Sequence, residues 1–170
     1  VGRGMRASSK ARDEIFLETK LWPSFFERPT AVDETLERLG TDYIDLMILH
    51  QPAGDTVAGY RILEKAYKEG KIRAIGLSNY EREHVEAVRA VATVAPHVLQ
   101  VESHPFFPNA NLRAYAQGLG MVFEAWSPLA RGRAVTDPTL VEIGAELGVG
   151  PTQVALRWAL DRGHVVFPKT

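Results

Sequence analysis

The chain has no cysteine. Disulfide frameworks, thiolate metal centres and thiol nucleophiles are thereby excluded. An excess of charge of one sign is also missing. Twenty Lys and Arg face 21 Asp and Glu, a formal net charge of −1, which gives no electrostatic footing for a nucleic acid or a membrane surface. No apolar run approaches the roughly 20 residues that a membrane span needs. No basic-then-apolar leader opens the sequence, so a cytoplasmic location is expected. Histidines and carboxylates do not fall at metal-ligand spacings such as His-x-x-x-His, and no metal is expected. What is present is an ordinary globular composition. Forty-five per cent of the 170 residues are apolar, 24% charged and 9% aromatic, which argues against disorder and suits one domain or part of a larger one.

The hydrophobic pattern alternates between strand and helix periods. Ile15 to Leu21 is rich in β-formers. A helix follows, capped at Thr30 behind Pro29, with Val32, Leu36 and Leu39 on one face and Gly40 as its stop. Tyr43 to Leu49 is a near-continuous apolar strand of the kind buried on both faces. The alternation continues through a helix at Val57 to Lys68, a strand at Ile72 to Leu77 and a helix at Glu81 to Val91. Then come a strand at His97 to Val101, a helix at Asn111 to Leu119 and a strand at Met121 to Trp126. Two helices opened by Asp137-Pro138 and Pro151-Thr152 lead to a last strand, His164 to Phe167. Val1 to Ser9 reads as the tail of a further helix.

Regular β–α alternation with short links means a parallel sheet, either doubly wound or a (β/α) barrel. A doubly wound nucleotide binder carries a Gly-rich turn straight after its first strand. Gly2-Arg3-Gly4 has no strand before it. A barrel instead gathers reactive side chains at the C-terminal ends of its strands. Lys20, His50, Ser78-Asn79, Gln100 with Glu102, Trp126-Ser127 and Lys169 all fall there. A complete (β/α)8 barrel takes about 250 residues. The expectation for residues 1–170 is therefore an α/β fold, an incomplete (β/α)8 TIM barrel with six of eight strands, truncated at both ends.

Six short motifs, each at a strand end and in the same order, resemble the aldo-keto reductase family. They are Thr19-Lys20-Leu21-Trp22, Asp45 to Pro52 (DLMILHQP), Gly70 to Asn79 (GKIRAIGLSN), Gln100 to Pro105 (QVESHP), Ala125 to Leu129 (AWSPL) and Phe167 to Thr170 (FPKT). Small bacterial carbonyl and diketo-sugar reductases look most similar. The resemblance implies NADP(H)-dependent reduction of an aldehyde or ketone to an alcohol. Hydride passes from the nicotinamide to the carbonyl carbon, and a tyrosine made acidic by a lysine–aspartate pair protonates the oxygen. Lys20 matches that lysine, and His50 matches the histidine that orients the carbonyl. Ser78, Asn79 and Gln100 match residues that bind the nicotinamide carboxamide, and Trp126 stands where a stacking tyrosine is usual. Ser127 and Leu129 match the pyrophosphate loop. Lys169 and Thr170 match the start of the segment that binds the 2′-phosphate.

The family's tyrosine and aspartate have no match in the chain; they would precede Val1. Tyr43 begins a strand at the other barrel end, Tyr60, Tyr67 and Tyr115 lie on helices, and Tyr80 follows Asn79. The isolated fragment is thus expected to be inactive. Trp22, with Phe25 and Phe26, either lines the mouth of the substrate pocket or packs on the outer layer. Asn79 could also cap the following helix. His104 before Pro105 reads as structural. The partner expected is a small carbonyl substrate, with no nucleic acid and no membrane. Two other functions compete: a non-catalytic NADP(H)-binding or regulatory module of the same fold, and a Schiff-base lyase built on Lys20. The second leaves Ser78, Asn79, Gln100 and Trp126 unexplained.

Overall fold

A computed structural model describes residues 1–168; the expected phosphate-binding residues Lys169 and Thr170 lie outside the described residues. The chain forms two compact units, Val1–Val98 and Leu99–Thr170. Within each of them the strands neighbour one another in chain order.

In the first unit, Glu18–Leu21 (β1) pairs in parallel with Ile44–Leu49 (β2), Lys20 opposite Ile48. β2 pairs in parallel with Ile72–Ser78 (β3), Leu49 opposite Leu77. Every residue of β2 is buried, as a parallel strand covered on both faces requires. That includes Asp45, whose carboxylate accepts from Arg12 Nη2 at 2.9 Å, Arg73 Nη1 at 3.2 Å and the Leu17 amide at 2.9 Å. The same two guanidinium groups sandwich the Tyr43 ring, each 3.8 Å from its centre. A short helix, Gly2–Ala7 (α1), opens the unit. Ala31–Leu39 (α2) follows Thr30 and ends at Gly40, whose φ of 68° is the left-handed conformation that closes helices. Thr56–Lys68 (α3) starts at Asp55, whose carboxylate accepts from the Ala58 amide. Arg82–Arg89 (α4) buries Val85 and Val88.

In the second unit lie most of Val98–Glu102 (β4), then Ala110–Gly118 (α5) and Val122–Trp126 (β5). Arg133–Thr136 (α6), Pro138–Leu147 (α7), Pro151–Leu160 (α8) and His164–Phe167 (β6) complete it. β5 and β6 pair in parallel, Trp126 opposite Phe167. Ala134, Leu140 and Ala155 form a core that Phe106, Leu129 and Val154 cover.

The sequence reading extended the first strand back to Ile15, but β1 starts at Glu18. Side chains take the backbone groups that a longer ladder would use: Arg12 Nη1 donates to the Ile15 carbonyl at 2.7 Å, and the Leu17 amide donates to Asp45. Neither α6 nor the 3-10 turn Ala130–Gly132 before it was foreseen. Phe26 settles one open alternative. It is fully buried against Gly59 of α3, where a Cβ would stand 2.6 Å from the Phe26 ring, so it is core and not pocket mouth. Among the described residues, no helix is long and apolar enough to cross a membrane.

Candidate active site

The first unit brings five of the expected residues to the C-terminal ends of β1, β2 and β3. Strand alternation puts Glu18 and Lys20 on one face of β1, and the Lys20 ammonium lies 3.6 Å from the Glu18 carboxylate. His50 follows β2 directly, and its amide donates to the Leu21 carbonyl at 3.0 Å, tying the ends of two strands together. The His50 imidazole meets the half-exposed Trp22 ring edge-on, centroids 4.6 Å apart. Burial lowers the pKa of His50, and the positive charge of Lys20 lowers it further. Both effects disfavour the imidazolium, so at neutral pH the ring is the neutral form, with one N–H to donate.

Ser78 ends β3 and is fully buried. Asn79 adopts a left-handed φ of 64°, a conformation that asparagine tolerates better than most residues. Its Nδ2 donates to the His50 carbonyl at 2.9 Å and to Ser78 Oγ at 3.2 Å. Asn79 does not cap α4, whose N-cap is Glu81. Its amide instead holds the ends of β2 and β3 together, and with them the backbone that carries His50.

The described tyrosines are occupied elsewhere. Tyr80 is fully buried, its hydroxyl 3.3 Å from both the Gln51 carbonyl and Thr56 Oγ1. Burial pushes its pKa up to about 12, the wrong direction for an acid that must work at neutral pH. Tyr60 donates to the Val94 carbonyl at 2.8 Å, and burial raises its pKa also. Tyr43 is the ring between Arg12 and Arg73, and Tyr67 and Tyr115 lie on α3 and α5.

In the second unit, Gln100 stands in the middle of β4, not at its end, and is buried. Its Nε2 donates to Glu124 Oε2 at 2.8 Å. Glu124 escaped the sequence reading, although a lone carboxylate inside the strand sequence VFEAW was a visible signal. Trp126 ends β5. Trp126, Ser127, Pro128, Leu129, Arg131 and Phe167 line much of a cavity of about 680 Å³. The loop beneath it is strained: Ser127, Ala130 and Arg131 have φ of 55°, 50° and 53°, followed by Gly132 at 95°. Backbone held in such sparsely populated conformations clusters at ligand-binding sites.

Two further histidines are structural. His104 is buried, with Nε2 3.4 Å from Glu102 Oε1, and its segment folds back through paired backbone bonds with Phe107. His164 opens β6 with its ring 4.9 Å from Phe123 and 5.8 Å from Trp158. Burial, then Arg113 and Arg162, pushes its pKa down to about 4, so it is neutral at pH 7.

Parallel β–α units with polar side chains at the strand ends define the class: six of the eight units of a (β/α)8 barrel. The sequence profile of the aldo/keto reductase family matches residues 1–170, and the chain belongs to that family. It is 41% identical over 174 residues to the glyoxal reductase of Bacillus subtilis, covering all of this chain and 63% of that protein. It is 40% identical over 177 residues to the 2,5-diketo-D-gluconic acid reductase B of a Corynebacterium species, covering all of this chain and 64% of the relative. Among solved structures, an aldo-keto reductase from a Medee basin deep-sea metagenome library superposes with a TM-score of 0.96 at 34% identity, over all of this chain and 65% of that one. The chain thus spans a little under two thirds of the length of these relatives.

Proposed function

We propose that the protein carrying this chain reduces an aldehyde or ketone to the alcohol with NADPH. The observation that carries this reading is the placement of Lys20 on β1 and of His50 at the end of the paired strand β2, where the His50 amide donates to the Leu21 carbonyl; the charge of Lys20 adds to burial in lowering the His50 pKa. The relatives named as glyoxal and diketogluconate reductases support a small carbonyl substrate.

The second unit's residues fit the dinucleotide chemically. Trp126 offers an aromatic face for stacking, and the left-handed run around Ala130 to Gly132 suits backbone amides turned toward an anion. Gln100 adds an amide of the kind that binds a carboxamide, and in the first unit Ser78 and Asn79 offer a hydroxyl and an amide of the same kind. Lys169 and Thr170 are assigned to the 2′-phosphate on the family resemblance alone. When bound, NADPH supplies the hydride that the carbonyl carbon receives. His50, neutral, donates its N–H to the carbonyl oxygen and polarises the bond. The Lys20 ammonium favours the ionised form of a neighbouring acid, which lowers that acid's pKa toward neutrality. Among the described residues no tyrosine is placed to give the oxygen its proton, and the family resemblance assigns that proton to a tyrosine that has no match in these 170 residues. The 170-residue chain alone is accordingly expected to show no turnover.

The absence of an available tyrosine among the described residues also favours a second reading, an NADP(H)-binding module without catalysis. The whole protein, mixed with NADPH and glyoxal or another simple aldehyde, decides between them. Aldehyde-dependent oxidation of NADPH with formation of the alcohol is the expected result. Tight NADPH binding with no turnover across aldehydes and ketones would establish the module instead.

A further inference from the structure

Glu124 and Gln100 are both almost fully buried, at 4% and 3% exposure, and face each other across β4 and β5. The flanking residues Phe123 and Ala125 are buried and apolar, and sheet hydrogen bonding asks nothing of a carboxylate at this position. A buried carboxylate is costly unless its hydrogen bonds are made. What such a group does achieve is orientation. The Gln100 amide turns its nitrogen toward Glu124, Nε2 donating to Oε2 at 2.8 Å, and its carbonyl oxygen then points to the other side. Alternation along β5 places Glu124 on the same sheet face as Trp126, two residues on. The pair thus shares its face with the aromatic residue that lines the cavity.

We propose that Glu124 is a positioning residue. It locks the Gln100 amide in one of its two orientations, so that Gln100 presents an acceptor oxygen to the N–H of a carboxamide such as that of the nicotinamide. The inference rests on the cofactor reading above and adds to it the residue that sets the polarity of the contact. Glutamine at position 124 would offer both a donor and an acceptor, and the Gln100 amide could then face either way.

The test uses the whole protein, two ligands and a stereochemical readout. Dissociation constants are measured for NADPH and for 2′-phospho-ADP-ribose, which lacks the nicotinamide. The face from which hydride leaves is read with NADPH deuterated at either C4 position. Glu124→Gln is expected to weaken NADPH by about tenfold, the scale of one buried hydrogen bond, to hold 2′-phospho-ADP-ribose within about twofold, and to erode the stereochemical purity of transfer. The exchanged pair Gln100→Glu with Glu124→Gln restores one donor and one acceptor across the strands and keeps an acceptor at position 100. It is expected to recover NADPH binding to within about threefold.

Gln100→Ala separates the two claims. If it leaves NADPH affinity unchanged, the cofactor role of Gln100 itself is wrong. If it weakens NADPH while Glu124→Gln does not, Gln100 keeps its role and the positioning by Glu124 is wrong. Equal loss for both ligands with Glu124→Gln would reduce the pair to a packing element and overturn the proposal. Should Glu124→Gln fail to fold, the exchanged pair decides: retained NADPH affinity supports the inference, and loss confined to NADPH contradicts it.

Discussion

Lys20→Met is expected to lower the rate constant for carbonyl reduction by about 10³-fold, within the range by which positioned acid–base groups act, while NADPH affinity changes by no more than about threefold. Methionine nearly matches the length and volume of lysine, so the edge of β1 and its pairing through Leu21 with β2 should survive. What disappears is the charge. Two consequences should follow together. The acid that protonates the substrate loses the ammonium that made it acidic, and the pH profile of reduction moves to higher pH. The Glu18 carboxylate, 3.6 Å from the ammonium in the native protein, is left without that cation, which adds negative charge where the acid must ionise. Single-turnover rates with saturating NADPH, measured across pH, check both. A variant that keeps its rate, or loses it only through weaker cofactor binding, would show that Lys20 is a rim lysine.

Asp45→Ala is expected to cost about 3 kcal/mol of stability, the scale for removing one partner from a buried ion pair. Three donors converge on this carboxylate, from Arg12, Arg73 and the Leu17 amide. Its loss strands the Leu17 N–H in the interior and leaves two guanidinium groups facing each other across the Tyr43 ring. Asp45→Asn keeps one acceptor oxygen and should lose roughly half as much. Chemical denaturation of the whole protein measures both. Because Asp45 sits near the start of β2 and His50 follows its end, turnover per folded molecule should stay unchanged. A stability loss below about 1 kcal/mol would mean that the cluster is solvated and that Arg12 and Arg73 find other partners.

How far the sequence carried the structure depends on how local each determinant is. Helix ends such as Gly40 and Asp137-Pro138 are written in one or two residues, and the structure places them as read: Gly40 is a left-handed C-cap, and the Asp137 carboxylate accepts from the Leu140 amide. The buried strand IDLMIL needed only its own unbroken apolar run. The ends of β1 were harder, because Arg12 and Asp45, 33 residues apart, decide whether residues 15–17 join the ladder. The same holds within the site. The strand-end positions of Lys20, His50, Ser78 and Trp126 were legible because a polar or aromatic residue there breaks an apolar run. The ties between them were not legible: Asn79 bonding the His50 carbonyl spans 29 residues, and Gln100 bonding Glu124 spans 24. Such pairs exist only once strands lie side by side, and no local spacing announces them.

The claim on which the account stands is that the Lys20 ammonium and the His50 imidazole share one site. It is tested most directly by titrating the His50 ring by NMR in the whole protein and in its Lys20→Met variant. The expected result is a His50 pKa below the ordinary value of 6.5 in the native protein, and a rise toward that value when the lysine's charge is removed, with burial accounting for what remains. A His50 that titrates at its ordinary value in both proteins, indifferent to residue 20, would contradict the account.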